Sequence, residues 1–345
     1  MVEYSLWGKN VDIEIPKDKF PTQQEIEDLD SKMPDCDHGW IESVAKAQLH
    51  YRIMLPSAQQ PKGIVVFCHG IAANGGKAFI LKDGSRLNVS YLQERLLERG
   101  YALYTLDLLG HGFSEGSRFF VPSWQENRDD LVAFANHVAS KHDDGTPLFL
   151  MGESYGSCLS LHAAKVFQDD PSKGPSGFKG IAVMAPAVVA NLPPAVVVFV
   201  LRYMFAPFFP KWVPFFMPNT VSPDRLWRNP EVAELNMDPK YQSWGLAASG
   251  QPFKLGTGLN LLLAVEDVRE RVVPELTVPF CAVHGTEDYA VLPASTDYLE
   301  EHAKTPEEDR AILRLEGSYH DLLGDPLRVE AMDFILRFLE SRTTK

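Results

Sequence analysis

Seven short tracts of uniformly apolar or alternating residues punctuate the chain. Residues 64–68 (IVVFC), 102–108 (ALYTLDL), 148–152 (LFLMG), 180–185 (GIAVMA), 279–284 (PFCAVH) and 311–315 (AILRL) are apolar over most of their length and rich in β-branched side chains, which predicts strands buried on both faces. Residues 48–54 (QLHYRIM) alternate in part and predict an antiparallel edge strand. Between these tracts the period changes to that of a helix. Residues 90–99 (SYLQERLLER) are closed by Gly100, and 128–141 (RDDLVAFANHVASK) carry apolar residues on one face. A last helix is predicted over 327–340, with Asp325 as N-cap and Pro326 as first helical residue.

Strands that alternate with helices imply an α/β fold, a mostly parallel central sheet covered by helices on both faces. The alternation fails between about 186 and 275, where 11 of the 25 prolines fall within residues 186–252. Proline cannot be repeated inside helices or central strands, so this stretch reads as an insertion over one end of the sheet. The domain organisation expected is an irregular polar N-terminal arm (1–40), a first part of the core (41–190), an apolar cap or lid (191–275) and a second part of the core (276–345).

One pentapeptide brings chemistry. Gly152-Glu153-Ser154-Tyr155-Gly156 matches G-x-S-x-G and stands between a predicted strand and a helix-compatible run from Ser157 to Phe167. A sharp strand-to-helix turn lifts such a serine hydroxyl out of the sheet edge, crowding favours glycine on either side, and the helix N-terminus faces a developing oxyanion. A serine hydroxyl needs a base, and the base needs an orienting acid. Two later loops, each after a predicted strand, supply them: His-Gly-Thr-Glu-Asp places Asp288, and Glu-Gly-Ser-Tyr-His-Asp places His320. Among the 10 histidines, His69 and His284 read as loop-packing residues, His111 belongs to an earlier loop and His302 lies on a polar helix, so His320 is the favoured base. Asp288 is preferred to Glu287 from its place in the loop, and Asp321 is too close in sequence to His320 to orient it. Two backbone N–H groups are expected to form an oxyanion hole, those of Tyr155 and of Ile71 in the loop His69-Gly70-Ile71-Ala72.

These motifs together resemble the α/β-hydrolase superfamily, and within it the monoacylglycerol lipase-like serine hydrolases, most of all the plant-type members. The resemblance is carried by His69-Gly70, Gly110–Gly116 (GHGFSEG), Gly152–Gly156, Val278–Asp288 (VPFCAVHGTED) and Tyr319–Leu323 (YHDLL), and it runs from about 40 to 342. It implies a serine ester hydrolase with a Ser154–Asp288–His320 triad, acting on a lipid monoester, above all monoacylglycerol. Related readings are a lysophospholipase, a general carboxylesterase or acyltransferase, and a ligand receptor on the same scaffold. The chain departs from the family in having Tyr155-Gly156-Ser157 where many members have Met-Gly-Gly.

Composition narrows the field. A balance of 33 basic against 46 acidic residues, −13 overall, argues against a nucleic-acid partner. The four cysteines form no metal-ligand or CxxC spacing and read as buried thiols; neither metal nor cofactor is expected. The N-terminus lacks the pattern of a signal peptide, so the expected location is cytoplasmic, peripheral on membranes or lipid droplets. Residues 192–218 carry six phenylalanines, yet the proline-free run 195–206 is too short to span a bilayer, and Arg202 interrupts it. The segment is expected to line an acyl tunnel and to touch lipid, with Trp212 beside Lys211 at the interface.

Overall fold

The computed structural model describes residues 33, 35–57, 60–190, 194–214, 219, 221–237 and 253–344, with the backbone of three short strands nearer the N-terminus, Glu3–Ser5, Gly8–Asn10 and Glu14–Ile15. Its centre is an eight-stranded sheet. The strands in chain order are β1 (Cys36–Glu42), β2 (Gln48–Met54), β3 (Gly63–Cys68), β4 (Tyr101–Leu106), β5 (Leu148–Glu153), β6 (Phe178–Met184), β7 (Phe280–Gly285) and β8 (Arg310–Leu315). Their spatial order is β8-β7-β6-β5-β3-β4-β2-β1. The pairs from β8 to β4 are parallel, and β2 runs antiparallel to both β4 and β1. This is the mostly parallel α/β sheet expected. Two details differ. The edge belongs to β1, which crosses the anticipated boundary at 40, and the 48–54 strand sits one place inside it.

The uniform apolarity of the central strands has its cause in the two faces. Ile64, Val66, Leu148 and Leu150 point to a layer containing Leu131, Phe134 and Val138 of α2 (Trp124–Ala139) and Leu159 of α3 (Tyr155–Asp169). Val65, Phe67, Phe149 and Met151, the alternate positions, meet Leu92 and Leu96 of α1 (Asn88–Glu98) and Ile335, Leu336 and Leu339 of the C-terminal helix Arg328–Thr343. Each such side chain contributes on the order of 1.5–3 kcal/mol by leaving water. Helix α2 starts four residues before the expected position because Ser123 caps it, accepting the Glu126 N–H at 3.2 Å. The C-terminal helix starts at Arg328, later than expected, since Asp325 spends its carboxylate on a turn, accepting the Leu327 N–H.

Between β6 and β7 lie α4 (Ala195–Val200), which continues as a π-helical turn over Leu201–Phe205, the short helices α5 (Pro223–Leu226) and α6 (Pro230–Asn236), and α7 (Leu255–Asp267). The strand Trp212–Pro214 of this insertion pairs with Gly8–Asn10, and Gly116–Ser117 of the core pairs with Glu14–Ile15. The first 40 residues thus contain ordered pairings that polarity alone conceals. After β7 come α8 (Ala294–His302) and, beyond β8, α9 (Arg328–Thr343).

Candidate active site

Ser154 stands between the end of β5 and the start of α3 with φ 56° and ψ −118°, a conformation disfavoured for residues with a Cβ. Backbone proximity explains its flanking glycines. A Cβ on Gly152 would lie 2.4 Å from the Gly156 carbonyl oxygen, and one on Gly156 would lie 2.0 Å from that of Cys68. The turn is pinned from behind by the Ser157 hydroxyl, within hydrogen-bond distance of the Gly152 oxygen at 2.7 Å and accepting the Met184 N–H at 3.1 Å.

Asp288 lies after β7 and His320 after β8, so parallel neighbours deliver both to one end of the sheet. His320 Nδ1 donates to Asp288 Oδ2 at 2.7 Å. Asp288 Oδ1 accepts the N–H groups of Ala290 and Val291 at 2.8 and 2.9 Å. Burial alone would raise the Asp288 carboxyl; the His320 and His284 rings outweigh it and hold the group well below the ordinary carboxylate range. Burial likewise opposes a charged His320, but Asp288 more than compensates and the imidazole sits above its ordinary value. His284, read from sequence as a packing residue, is closer to the chemistry: its Nε2 is 3.1 Å from Asp288 Oδ2 and its Nδ1 is 2.7 Å from the Thr296 hydroxyl.

The loop after β3 carries Ile71. His69 donates from Nδ1 to the Gly70 oxygen at 2.7 Å and accepts the Leu108 N–H on Nε2 at 3.1 Å, which fixes its tautomer. Holding the Gly70 carbonyl turns the other end of that peptide, the Ile71 N–H, the opposite way. Farther along, Gly75 N–H reaches the buried Asp107 carboxylate at 2.7 Å. Tyr155 begins α3, where the first N–H groups lack intrahelical partners. Its ring is buried and its hydroxyl accepts from Asn127 Nδ2 at 3.2 Å.

Ser154, Tyr155, Ile71 and His320 all line one cavity of about 470 Å³. Its walls are mostly apolar, with Arg202, Arg225 and Tyr289 among them; Val198 and Leu201 of the insertion's first helical segment and Leu259, Leu262 and Val265 of α7 supply aliphatic side chains. The other face of this segment is open to solvent: Val196, Phe199 and Met204, with Phe208 in the turn after it, are each at least 60% exposed. Trp212, expected at an interface, is half-buried in the strand that pairs with Gly8–Asn10, and Phe215 and Phe216 lie outside the described residues. No helix among the described residues is long and apolar enough to cross a membrane.

Beside Ser154 is a charged cluster that sequence reasoning missed. Asp321 does not orient His320. Its Oδ2 accepts from Lys77 Nζ and Trp227 Nε1, both at 2.6 Å, and its Oδ1 from Asn88 Nδ2 at 2.8 Å and Gly324 N–H at 2.9 Å. Glu153 lies against this group; burial, reinforced by Asp321, pushes its carboxyl up to about 7. Among the described residues there is no group of His, Cys, Asp and Glu suited to a metal ion. Cys68, Cys158 and Cys281 are free and buried, and burial pushes the Cys68 thiol up to about 12.

The family model described as "Serine aminopeptidase, S33" (Hydrolase_4) matches residues 59–327. The chain is 28% identical over 267 residues to a monoglyceride lipase of Rattus norvegicus, covering 76% of each protein. It is 25% identical over 327 residues to a caffeoylshikimate esterase of Arabidopsis thaliana, covering 93% of this chain and 86% of that one. Among solved structures, a soluble variant of monoglyceride lipase from Saccharomyces cerevisiae superposes with a TM-score of 0.66 at 17% identity, over 89% of this chain and 96% of that one.

Proposed function

The chain belongs to the Hydrolase_4 family of α/β-hydrolases, and from that premise we propose that it is a serine ester hydrolase cleaving a lipid monoester, with monoacylglycerol as its foremost substrate. The observation that carries this reading is the mostly apolar cavity of about 470 Å³ that opens on Ser154 and His320. Such a volume is ordinary for a pocket that buries most of a medium-sized apolar ligand, and each buried methylene adds about 0.8 kcal/mol. Similarity to monoglyceride lipases over three quarters of the chain adds weight to the substrate class.

In this reading His320, held through Nδ1 by Asp288, uses Nε2 to take the Ser154 proton as Oγ attacks the ester carbon. Tyr155 and Ile71 N–H groups receive the oxyanion, His320 passes the proton to the departing alcohol, and water activated by the same imidazole releases the fatty acid. The insertion acts as a cap that holds the acyl chain and excludes water. The exposed row from Val196 to Phe208 supports docking of that cap on a lipid surface.

Hydrolysis of a monoacylglycerol chain-length series tests the proposal, run beside lysophospholipid and p-nitrophenyl esters with Ser154→Ala as control. Preference for monoacylglycerol, lost in the variant, is expected. Activity confined to short activated esters refutes the lipid assignment, and wild type equal to Ser154→Ala refutes the hydrolase. A carboxylesterase for other acyl groups is the second reading, favoured by the coverage of this chain by a caffeoylshikimate esterase; hydroxycinnamoyl esters in the same panel separate the two.

A further inference from the structure

His320 is mounted on a loop, and among the described residues its own backbone makes no hydrogen bond. Its place therefore depends on the residues to either side. Upstream, the Ser318 oxygen accepts the Glu287 N–H at 3.1 Å, and the Gly317 N–H donates to the Thr286 hydroxyl at 2.8 Å. Both bonds join the loop of the base to the loop that carries Asp288. Downstream the anchor is Asp321, whose N–H donates to the Leu226 oxygen at 3.1 Å. This second anchor has a different set of partners.

The four donors on the Asp321 carboxylate come from four segments: Lys77 and Trp227 at 2.6 Å, Asn88 at 2.8 Å and Gly324 at 2.9 Å. Lys77 ends the stretch that begins with the Ile71 loop. Turns run along that stretch, the Ala73 N–H donating to the Gly70 oxygen at 3.4 Å and the Lys77 N–H to the Asn74 oxygen at 3.3 Å. Leu226 and Trp227 lie at the end of α5, in the insertion, and Lys77 Nζ stands 5.5 Å from the centre of the Trp227 ring. Asn88 opens α1 with φ 53°, a left-handed conformation, and its N–H also returns to the base loop, donating to the Leu323 oxygen at 3.1 Å. One carboxylate thus gathers the base loop, the Ile71 stretch, the insertion and α1. Stability alone does not account for it. The Lys77 and Asp321 side chains are only 12% and 3% exposed, and the desolvation of such a pair roughly offsets its attraction, so that apolar side chains of similar volume often serve stability as well or better. Apolar packing has no fixed direction, whereas four hydrogen bonds hold the carboxylate along four lines. The chain one residue from His320 is held with it, where a misplacement of about 1 Å can cost about 10²-fold in rate.

We propose that Asp321 is a positioning residue, which keeps the His320 loop in register with the Ile71 stretch and the insertion. The inference rests on the reading of His320 as the general base. Asp321 makes no hydrogen bond to the imidazole among the described residues; Asp288 holds the ring, and Asp321 holds the chain on which the ring is mounted. The division of labour is between two neighbouring loops: the bonds before His320 set the base against its acid, and those after it set the base against the oxyanion donor.

Asp321→Asn in the full chain tests this, since the amide keeps the shape of the side chain but offers one oxygen to four donors. Steady-state hydrolysis of p-nitrophenyl octanoate is measured, with thermal unfolding to show that each variant is folded. Asp321→Asn is expected to lower kcat and kcat/KM together by about ten- to a hundredfold, with KM within about twofold of wild type. Lys77→Met combined with Asp321→Asn removes the ammonium that the single variant leaves uncompensated, and is expected to remain at least about tenfold slow. In a His320→Ala background Asp321→Asn should cost less than about twofold, because a residue that acts through the base has nothing left to act on. Trp227→Phe keeps a ring and removes one donor; it should lower kcat about three- to tenfold, and it carries the test if Asp321→Asn does not fold. Wild-type kcat in folded Asp321→Asn or in Trp227→Phe, recovery in the charge-free pair, a rise in KM at constant kcat, or an undiminished loss in the His320→Ala background each overturns the proposal. Wild type equal to Ser154→Ala instead overturns the hydrolase reading beneath it.

Discussion

Asp288→Asn probes the geometry most sharply. Asp288 Oδ1 accepts two backbone N–H groups, from Ala290 and Val291, while Oδ2 faces the rings of His320 and His284. In the asparagine the amide oxygen must occupy the Oδ1 place, because an NH2 there would confront two further donors. The NH2 then faces His320 Nδ1, and a donor meets a donor. The imidazole relieves this by moving its proton to Nε2, the atom that has to accept from Ser154. The backbone turn at Ala290 and Val291 is kept, so the fold survives while the base is lost. The analogous wrong-tautomer change in serine proteases lowers kcat about 10⁴-fold, which is about 5.4 kcal/mol in barrier. Steady-state hydrolysis of p-nitrophenyl octanoate measures the loss, and the thermal midpoint, expected within a few degrees of wild type, shows that the variant is folded. A folded Asp288→Asn enzyme within tenfold of wild type would refute this account of His320.

Four more outcomes are expected. His284→Ala removes one of the two rings on Asp288 Oδ2 and should lower kcat about ten- to a hundredfold, the usual scale for loss of a supporting hydrogen bond at a site; an unchanged kcat would assign His284 to packing alone. Asp288 lifts His320 above its ordinary 6.5, and the base works only unprotonated, so kcat/KM should rise with pH to a midpoint above about 6.5; a profile flat down to about pH 5 contradicts it. Leu259→Ala with Leu262→Ala should cost long-chain monoacylglycerols more than short ones, up to about fourfold per methylene left uncovered, whereas an equal loss at every chain length counts against an acyl tunnel. Phe199→Ser with Phe208→Ser should weaken cosedimentation with phosphatidylcholine vesicles by tenfold or more, given about 1.5–3 kcal/mol per inserted ring; undiminished binding would remove the cap from the lipid contact.

Much of this was legible in the chain because parallel sheets put chemistry at strand ends. Gly152 and Gly156 mark the turn around Ser154, and the apolar runs before Asp288 and His320 announce the strands that carry them. What could not be read depends on distance. Lys77 and Asp321 are 244 residues apart, and nothing local to either tells that they meet beside Ser154. His284 sits in a strand whose apolar pattern suggests packing, and only the fold of the following loop turns it onto Asp288. The start of α2 was within reach, since Ser123 followed by Glu126 is a capping box. Strand β1 was obscured by the polar, alternating side chains of an exposed edge.

The pairing of Gly8–Asn10 with Trp212–Pro214 bears on how the protein is to be handled in the laboratory. The family-matched region starts at residue 59, and a fragment begun there but kept through α9 would shed this partner along with β1 and β2. The backbone groups of Trp212–Pro214 and one side of β4 would then be bare, and unsatisfied strand edges recruit other chains. Insolubility of such a fragment would report on lost edge protection, and say nothing about whether the hydrolase site itself is sound.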